Sequence, residues 1–228
     1  MLKKSLFINS LLLTSLLCAN LESYGNPRFQ RFSYKPRTGM GIPQNSLGGT
    51  TRSVECASQC VLSLTPADNI PLTALERPSF FFFVPKMQGA KAKFQLFDQN
   101  DRVYQTSFDL TSTGGIMEFS LPADAPGLEV GKNYQWRIVI RNSEKTNDLN
   151  GFVRRVNLST VNMTTKATGQ PLQAAEIYAQ EGIWLDMFKT LVDAKTPETI
   201  ALIQDLLKSA KFEAIATQPL LECCKSSN

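Results

Sequence analysis

Four cysteines beyond residue 25 are the side chains whose spacing most directly suggests chemistry. Cys56 and Cys60 lie close together early in the chain, whereas Cys223 and Cys224 are adjacent near its end. In an oxidising compartment such cysteines form disulfides, and four cysteines allow three pairings. A bridge between neighbours is strained, so we expect Cys223 and Cys224 each to pair with one of the early cysteines. A zinc site is the disfavoured alternative, because adjacent cysteines rarely ligate the same metal. We expect no metal.

The sequence lacks histidine and the common catalytic motifs. There is no histidine, so Ser-His-Asp catalysis, Cys-His catalysis and histidine-ligated metals are excluded. There is also no G-x-S-x-G motif, no P-loop and no Rossmann fingerprint. Two carboxylates could in principle hydrolyse a glycosidic bond, but no spacing in the chain nominates a pair. We therefore predict a protein that is not an enzyme and holds no cofactor.

Residues 26–54 form a basic stretch rich in proline, glycine, asparagine and serine, which predicts an arm rather than a folded element. Aromatic residues alternate with its cations, a pattern that elsewhere suits single-stranded nucleic acid. Because residues 1–25 predict export from the cytoplasm, we expect no nucleic acid. A solvated tether is the favoured interpretation, and contact with an anionic membrane surface, an acidic glycan or an acidic partner is the alternative. The cations are Arg28, Arg31, Lys35, Arg37 and Arg52.

An export signal is predicted at residues 1–25. Lys3 and Lys4 precede an apolar run at 6–17 that is followed by a more polar stretch, as in secretory signal peptides. As a helix this run would be about 18 Å long at ~1.5 Å per residue, too short for a hydrocarbon core of ~30 Å. The mature chain is therefore expected to be exported, periplasmic or extracellular, without a transmembrane helix.

The sequence offers two processing sites for this signal. Cleavage after Gly25 satisfies the rule of small residues before the cut, since Ser23 lies two residues upstream, and cleavage after Ala19 is the second option. Lipidation of Cys18 is disfavoured, because the bulky Leu17 precedes it.

Short strand-like segments separated by turn residues follow the arm. Within them apolar and polar side chains alternate, as in strands with one buried face. Seven such segments predict an antiparallel β-sandwich, and Tyr134 after a glycine turn resembles the tyrosine corner of immunoglobulin-like sandwiches. We expect Tyr134 and Trp136 to lie in the core. The segments are 60–64, 79–85, 92–98, 102–110, 115–122, 134–142 and 151–159.

Four consecutive phenylalanines, Phe80 to Phe83, cannot all face one core, because successive strand side chains point to opposite sides. Two of them must point away from the sandwich. Either a second layer covers that side of the strand, or the strand presents an apolar binding edge.

After the strands the pattern becomes helical. Thr196 and Pro197 mark a helix start, but Thr199 stands where a capping box has Glu or Gln, so we expect an incomplete box. Residues 178–197 follow the phasing of a tetratricopeptide hairpin with a glycine turn. One hairpin cannot bury its apolar face alone. It must dock on the sandwich, stack on a partner or be a coincidental helical hairpin, and we expect docking. The predicted apolar face of the last helix is Ile200, Ile203, Leu206 and Leu207.

A series of sequence blocks from about residue 45 to the C-terminus resembles a known family. In order, the blocks are GGTTR, LERPSFFFFVP, FQLFDQNDRVYQTSF, GIMEFSLP, LEVGKNYQWRIVI, GFVRRV, YAQEGIWLDMFKTL and a closing CC. Together they are similar to domain of unknown function 928, a family of uncharacterised exported cyanobacterial proteins. The resemblance implies export and supplies no reaction.

We therefore predict an α+β chain with a signal peptide (1–25), a basic arm (26–54), an antiparallel immunoglobulin-like β-sandwich (55–168) and a tetratricopeptide-like helical region (169–228). The expected function is that of an extracytoplasmic, non-enzymatic binding or scaffold module of a cell-envelope complex, with an envelope protein or a glycan as its partner. The alternative is a carboxylate-based glycan-active enzyme or a glycan-binding protein. The candidate contact residues are Arg52, Arg154, Arg155, Trp184 and Asp186. The arginines could instead be solvated charges, and Trp184 could be a core residue.

Overall fold

The computed structural model describes residues 33–37, 59–66, 69–158 and 170–221. All of them belong to one contact unit, Phe32–Asn228. The predicted signal peptide and most of the predicted arm lie outside the described residues, as do Arg52, Cys56, Cys223 and Cys224. Within the described ranges, no helix is long and apolar enough to cross a membrane.

The described residues form strands first and helices afterwards. The strands are β1 Leu62–Ser63, β2 Leu72–Thr73, β3 Ser79–Val84, β4 Lys91–Asp98, β5 Asp101–Asp109, β6 Gly115–Ser120, β7 Asn133–Arg141, β8 Thr146–Arg155 and β9 Leu220–Leu221. The helices are α1 Pro171–Gln180, α2 Trp184–Ala194 and α3 Pro197–Ser209, followed by a 3₁₀ turn at Glu213–Ile215. One sheet has four strands in the order β1-β3-β6-β9, and the other has five in the order β2-β8-β7-β4-β5.

The fold class is α+β, as predicted, but the sheets are mixed and not antiparallel throughout. β2 pairs with β8 in parallel, and so does β9 with β6. Parallel neighbours need a long connection between them. Both pairs have one, since five strands separate β2 from β8 and three helices separate β6 from β9 along the chain. The sequence pattern missed β2 and β9 because a two-residue strand has no recognisable period.

Strand β8 begins at Thr146 and not at Gly151 as predicted. Asp148 and Asn150 are poor strand formers, but nine residue pairs align this segment with β7. A long neighbouring strand therefore overrides the local preference. The predicted hairpin between β4 and β5 is confirmed, with Gln99 at φ 55° in its two-residue turn.

The four phenylalanines of β3 lie in the middle of three layers. Phe80 and Phe82 face the five-stranded sheet, where their rings lie 6.0 and 5.5 Å from Trp136 between centroids. Phe81 faces the other way and lies 4.7 Å from Phe188 of α2. All four phenylalanines are 2% exposed. A second layer therefore covers this strand, and one hydrophobic cluster runs through both sheets and the helices.

Tyr134 and Trp136 are core residues, as predicted, with exposures of 4% and 1%. The Tyr134 hydroxyl accepts a hydrogen bond at 3.1 Å from the backbone N–H of Glu129, upstream of its strand. This contact is the one predicted for a tyrosine corner, which ties the start of a strand to the loop before it. Trp136 Nε1 donates to the Phe152 carbonyl on the neighbouring strand at 3.3 Å.

Helix α3 begins with a complete capping box, which corrects the prediction. Thr196 Oγ1 accepts from the backbone N–H of Thr199 at 3.2 Å, and Thr199 Oγ1 accepts from the N–H of Thr196 at 3.1 Å. A threonine hydroxyl thus takes the place of the expected Glu or Gln side chain. The predicted apolar face is also wrong at one position, since Ile200 is 41% exposed while Thr199 is buried.

We expect Phe188→Ala to lower the free energy of unfolding by about 3–5 kcal/mol, because it empties the contact between α2 and β3. Urea unfolding followed by circular dichroism and tryptophan fluorescence measures the change. Val103→Ala is the control, since this side chain is 38% exposed and its loss should change stability by about 0.5 kcal/mol or less. If the helices unfolded at a lower urea concentration than the sheets, a core shared by all three layers would be contradicted.

Candidate functional site at the helix-covered sheet

The first turn of helix α2 is hydrogen-bonded to the edges of both sheets. Trp184 Nε1 donates to the Leu64 carbonyl, just beyond β1, at 2.7 Å. Asp186 Oδ1 accepts from Thr73 Oγ1 at 2.6 Å, and its Oδ2 accepts from the backbone N–H of Ala74 at 2.8 Å. The helix layer is therefore positioned by polar contacts as well as by its apolar face.

Trp184 and Asp186 have intramolecular roles, with exposures of 1% and 2%. A buried carboxylate needs hydrogen-bond donors around it, and Thr73 and Ala74 supply them. Asp186 also lies in the first turn of its helix, where the helix dipole favours a negative charge. Side chains this buried offer no surface to a partner, so neither residue is a contact residue of the folded chain. Trp184 is a core residue between the helical hairpin and the sheet, which was the alternative interpretation of this side chain.

Part of the predicted arm, residues 33–37, lies against the turn between α1 and α2. The backbone N–H of Lys35 donates to the Ala179 carbonyl at 3.1 Å. The Tyr34 hydroxyl donates to the Gly182 carbonyl at 3.3 Å, and the Tyr34 ring meets the indole of Trp184 edge-on at 4.9 Å. This part of the arm is therefore docked and is not a solvated tether.

Arg37 and Gly182 complete this contact. Arg37 Nε donates to the Glu181 carbonyl at 2.8 Å, and its Nη2 lies 2.6 Å from the Glu181 carboxylate. Gly182 has φ +67°, which favours glycine. A Cβ at this position would lie 2.8 Å from the Lys35 carbonyl oxygen and 2.9 Å from the Arg37 nitrogen. The glycine is thus required by the turn and by the close approach of the arm.

The three arginines predicted as contact residues differ in how far the fold already engages them. Arg155 is occupied within the fold, because Nη1 donates to the Leu128 carbonyl at 2.6 Å and Nε to the Ala74 carbonyl at 3.4 Å. Arg154 is partly exposed on the other side of β8. Arg52 lies outside the described residues. Among the described arginines, Arg154 therefore remains a candidate for contact with a partner, whereas Arg155 does not.

A groove of about 1090 Å³ lies between the four-stranded sheet, the ends of helices α2 and α3, and the segment that contains β9. Ile200, on its helical wall, is one of three large apolar side chains that are exposed in the described part of the chain. Sequence reasoning did not locate this groove, since it joins residues far apart in the chain. Its apolar lining includes Phe81, Leu110, Ile116, Val192, Ile200 and Leu220, and its charged lining is Asp109, Glu118, Asp193 and Lys195.

Two carboxylates at this groove share one lysine. Lys189 Nζ lies 3.2 Å from Glu118 Oε1 and also pairs with Asp193. Glu118 Oε1 accepts further hydrogen bonds from the hydroxyls of Ser79 and Ser120 at 2.7 and 2.8 Å. Burial lowers the pKa of Lys189, but its hydrogen bonds to Asp193 and Glu118 outweigh this effect and raise the pKa overall. The lysine is therefore a stable cation between the two acids.

This arrangement fits binding better than catalysis. A glycosidase of the two-carboxylate type needs two carboxyl groups that face the sugar from opposite sides of the bond, whereas Glu118 and Asp193 both turn toward Lys189. Phe81 is the aromatic side chain among the described residues that line the groove. It is only 2% exposed, so its ring is not available to stack on a sugar. In the ranges that the structure describes, no cluster of acidic or cysteine side chains could hold a metal ion.

Cys60 is the predicted disulfide cysteine that lies among the described residues, and it is not a free thiol. Cys56, Cys223 and Cys224 lie outside the described ranges. The pairing of the early with the late cysteines therefore stays a prediction.

Comparison with known proteins places this fold in a family. The profile of the family Domain of Unknown Function (DUF928) matches residues 47–220. The chain belongs to this family. The match spans both sheets, all three helices and every described groove residue except Leu221. The resemblance of the sequence blocks is thereby confirmed as family membership.

Other comparisons add little. No protein with a curated description matches the chain. A solved structure similar to part of it is described as a computer-based redesign of a β-sandwich protein. That similarity has 23% identity, covers 42% of this chain and 94% of the other, and has a TM-score of 0.25.

Asp186→Asn is expected to lower the free energy of unfolding by about 2–3 kcal/mol, because an amide nitrogen replaces one accepting oxygen and leaves a buried donor unpaired. Urea unfolding measures the loss. Thr73→Val removes the hydroxyl donor of the same contact, so the double variant should lose less than the sum of the single variants. Additive losses would contradict the role of this contact in holding α2 on the sheets.

Burial raises the pKa of Tyr34 from 10.0 to about 12, so we expect this hydroxyl to stay protonated while exposed tyrosines ionise. The pKa of Tyr34 is higher in the folded than in the unfolded chain. The contribution of this group to the free energy of unfolding is therefore fully present below pH 10 and is lost as the pH rises toward 12. Ultraviolet difference titration of the wild type against Tyr34→Phe isolates this group. A midpoint near 10 would show that residues 33–37 are not docked.

Proposed function

We propose that this chain is a non-enzymatic binding or scaffold module of a cell-envelope complex, working outside the cytoplasm. The predicted signal peptide at residues 1–25 supports export. The resemblance of the sequence blocks to exported cyanobacterial proteins supports the envelope setting. In finer terms, the Tyr134 corner supports an immunoglobulin-like sandwich, and Gly182 at the turn between α1 and α2 supports a tetratricopeptide-like hairpin.

The observation that carries the proposal is the groove beside helices α2 and α3. Its volume of about 1090 Å³ is large enough for a segment of polypeptide. Its walls are mostly apolar, and Ile200 remains 41% exposed there although it belongs to an amphipathic helix. Exposed apolar surface in a concave, charge-rimmed site is typical of protein interaction sites.

The charged side chains at the groove are largely paired within the fold. Asp109 pairs with Lys91, and Glu118 and Asp193 share Lys189. We infer that the occupant is a segment of an envelope protein that inserts apolar side chains between these ion pairs. Charged groups at the rim of a contact orient a partner more than they add affinity.

The alternative, a carboxylate-based glycan-active enzyme, would have to use Glu118 and Asp193. Their shared contact with Lys189 argues against an acid and base pair. The binding module is therefore the favoured function.

We expect a photo-cross-linking amino acid at position 200 to form an adduct with an envelope protein in intact host cells, because this side chain projects into the groove. The same replacement at Val130, which is 46% exposed and does not line the groove, should form no such adduct. Mass spectrometry of the extracytoplasmic fraction identifies the adduct.

Glutamate at the same two positions separates loss of contact from loss of fold. Ile200→Glu should weaken capture of the cross-linked partner about tenfold or more, because it places an unpaired charge in the contact. Val130→Glu should not, and both variants should unfold near the wild-type urea midpoint. Equal adducts at both positions would overturn the proposal. Glycan hydrolysis that is abolished by Glu118→Gln would favour the enzyme instead.

A further inference from the structure

The outward face of the five-stranded sheet carries rows of polar side chains that lie apart from the groove. Side chains alternate along a strand, so the neighbours of the buried Trp136 on β7 point away from the core. The strand registers align such residues into rows across the sheet. One row consists of Gln105 on β5, Gln95 on β4, Arg137 on β7 and Asn150 on β8.

Gln105 and Arg137 are exposed in this row, whereas Gln95 is only 7% exposed. Gln95 Nε2 donates to Gln105 Oε1 at 3.1 Å, which orients both amides. Asn150 Oδ1 and Arg154 Nε, which lie on the same side of β8, are buried and have no hydrogen-bond partner. Such atoms are rare in folded proteins, because each costs the hydrogen bond that it lacks. Because these two atoms are buried, a ligand would instead contact the exposed side chains of the row, Gln105 and Arg137.

The adjacent row carries two aromatic rings. Phe97 on β4, Gln135 on β7 and Phe152 on β8 are aligned by the registers, and all three are partly exposed. Two strand spacings, ~10 Å, separate the phenylalanines. The electron-rich face of an aromatic ring attracts the weakly positive C–H groups of a sugar ring. Two such rings beside a row of amides suit an extended chain of sugars.

Cations outnumber acids on this face. Lys91 pairs with Asp109 at 2.8 Å, and Arg137 pairs with Asp148 through two hydrogen bonds. Lys93 and Arg141 are exposed on the same face, and neither has an ion pair within the described ranges. Free cations beside a polar row favour a ligand that carries carboxylates, which a guanidinium binds through two parallel hydrogen bonds.

We propose that the outward face of the five-stranded sheet binds an acidic polysaccharide, recognising its carboxylates through Lys93 and Arg141 and its sugar rings through Phe97 and Phe152. Gln105 and Arg137, in the row between them, supply hydrogen bonds to hydroxyl groups. This face shares no residue with the groove except Asp109 at its margin. The proposed protein contact and this glycan contact can therefore be tested separately.

The test is affinity electrophoresis and calorimetry of the purified chain with polygalacturonate at low salt, where exposed charges are least screened. We expect binding to polygalacturonate and none to the neutral polymer dextran. Lys93→Gln/Arg141→Gln should weaken binding about tenfold or more, as loss of charge-assisted hydrogen bonds would. Lys86→Gln/Lys211→Gln removes the same charge from exposed positions outside these rows and should change affinity by less than about twofold.

Two further variants make the outcome specific. Phe97→Ala should weaken binding about fivefold without changing its salt dependence, since it removes stacking and no charge. Ile200→Glu should bind polygalacturonate like the wild type, so that failure of the protein contact is not mistaken for failure of this site. Three results would each overturn the proposal: no binding to polygalacturonate, equal losses in the Lys93/Arg141 and Lys86/Lys211 variants, or tighter binding to phosphatidylglycerol vesicles than to polygalacturonate.

Discussion

Burial of strand β3 on both of its faces is the constraint on which the other layers depend. Phe80 and Phe82 face one way and Phe81 and Phe83 the other, so two apolar surfaces must be covered. The five-stranded sheet covers one and helix α2 covers the other. Without the helices, the outer phenylalanines would form an exposed apolar patch that favours aggregation. The helical region is thus part of the fold, and the groove exists where its covering of the sheet ends.

Polar contacts decide how the helix layer sits on the sheets. Apolar contacts alone are poorly directional, whereas the hydrogen bonds of Trp184 and Asp186 fix the position of α2 relative to β1 and β2. A buried carboxylate tolerates only an arrangement that supplies its donors. The block YAQEGIWLDMF therefore owes its composition to docking, and the arm residues Tyr34 and Arg37 close over the turn that it contains.

The two surfaces available to partners differ in the way they are built. The groove brings together the end of β5, the middle of β6, helices α2 and α3 and the last described strand. Its charged residues therefore range from Asp109 to Lys195 in the sequence. The sheet face is built from hairpins, whose registers align neighbouring strands into rows. The alternation within each strand predicts which side chains point outward. Which of them lie side by side depends on the strand registers, which the sequence does not show. Sequence reasoning therefore identified neither surface as a site.

The sequence by itself determined the strands with clear alternation, the core positions of Tyr134 and Trp136, the helical C-terminal region and the need for a second layer over β3, because these follow from local periodicity and side-chain volume. Tertiary structure alone decided the parallel edge strands, the early start of β8 and the closure of the Thr196 capping box by Thr199. It also decided that Trp184 and Asp186 are internal and that Glu118 meets Lys189. These features depend on which distant segments become neighbours, and no local pattern encodes the free energy of such contacts.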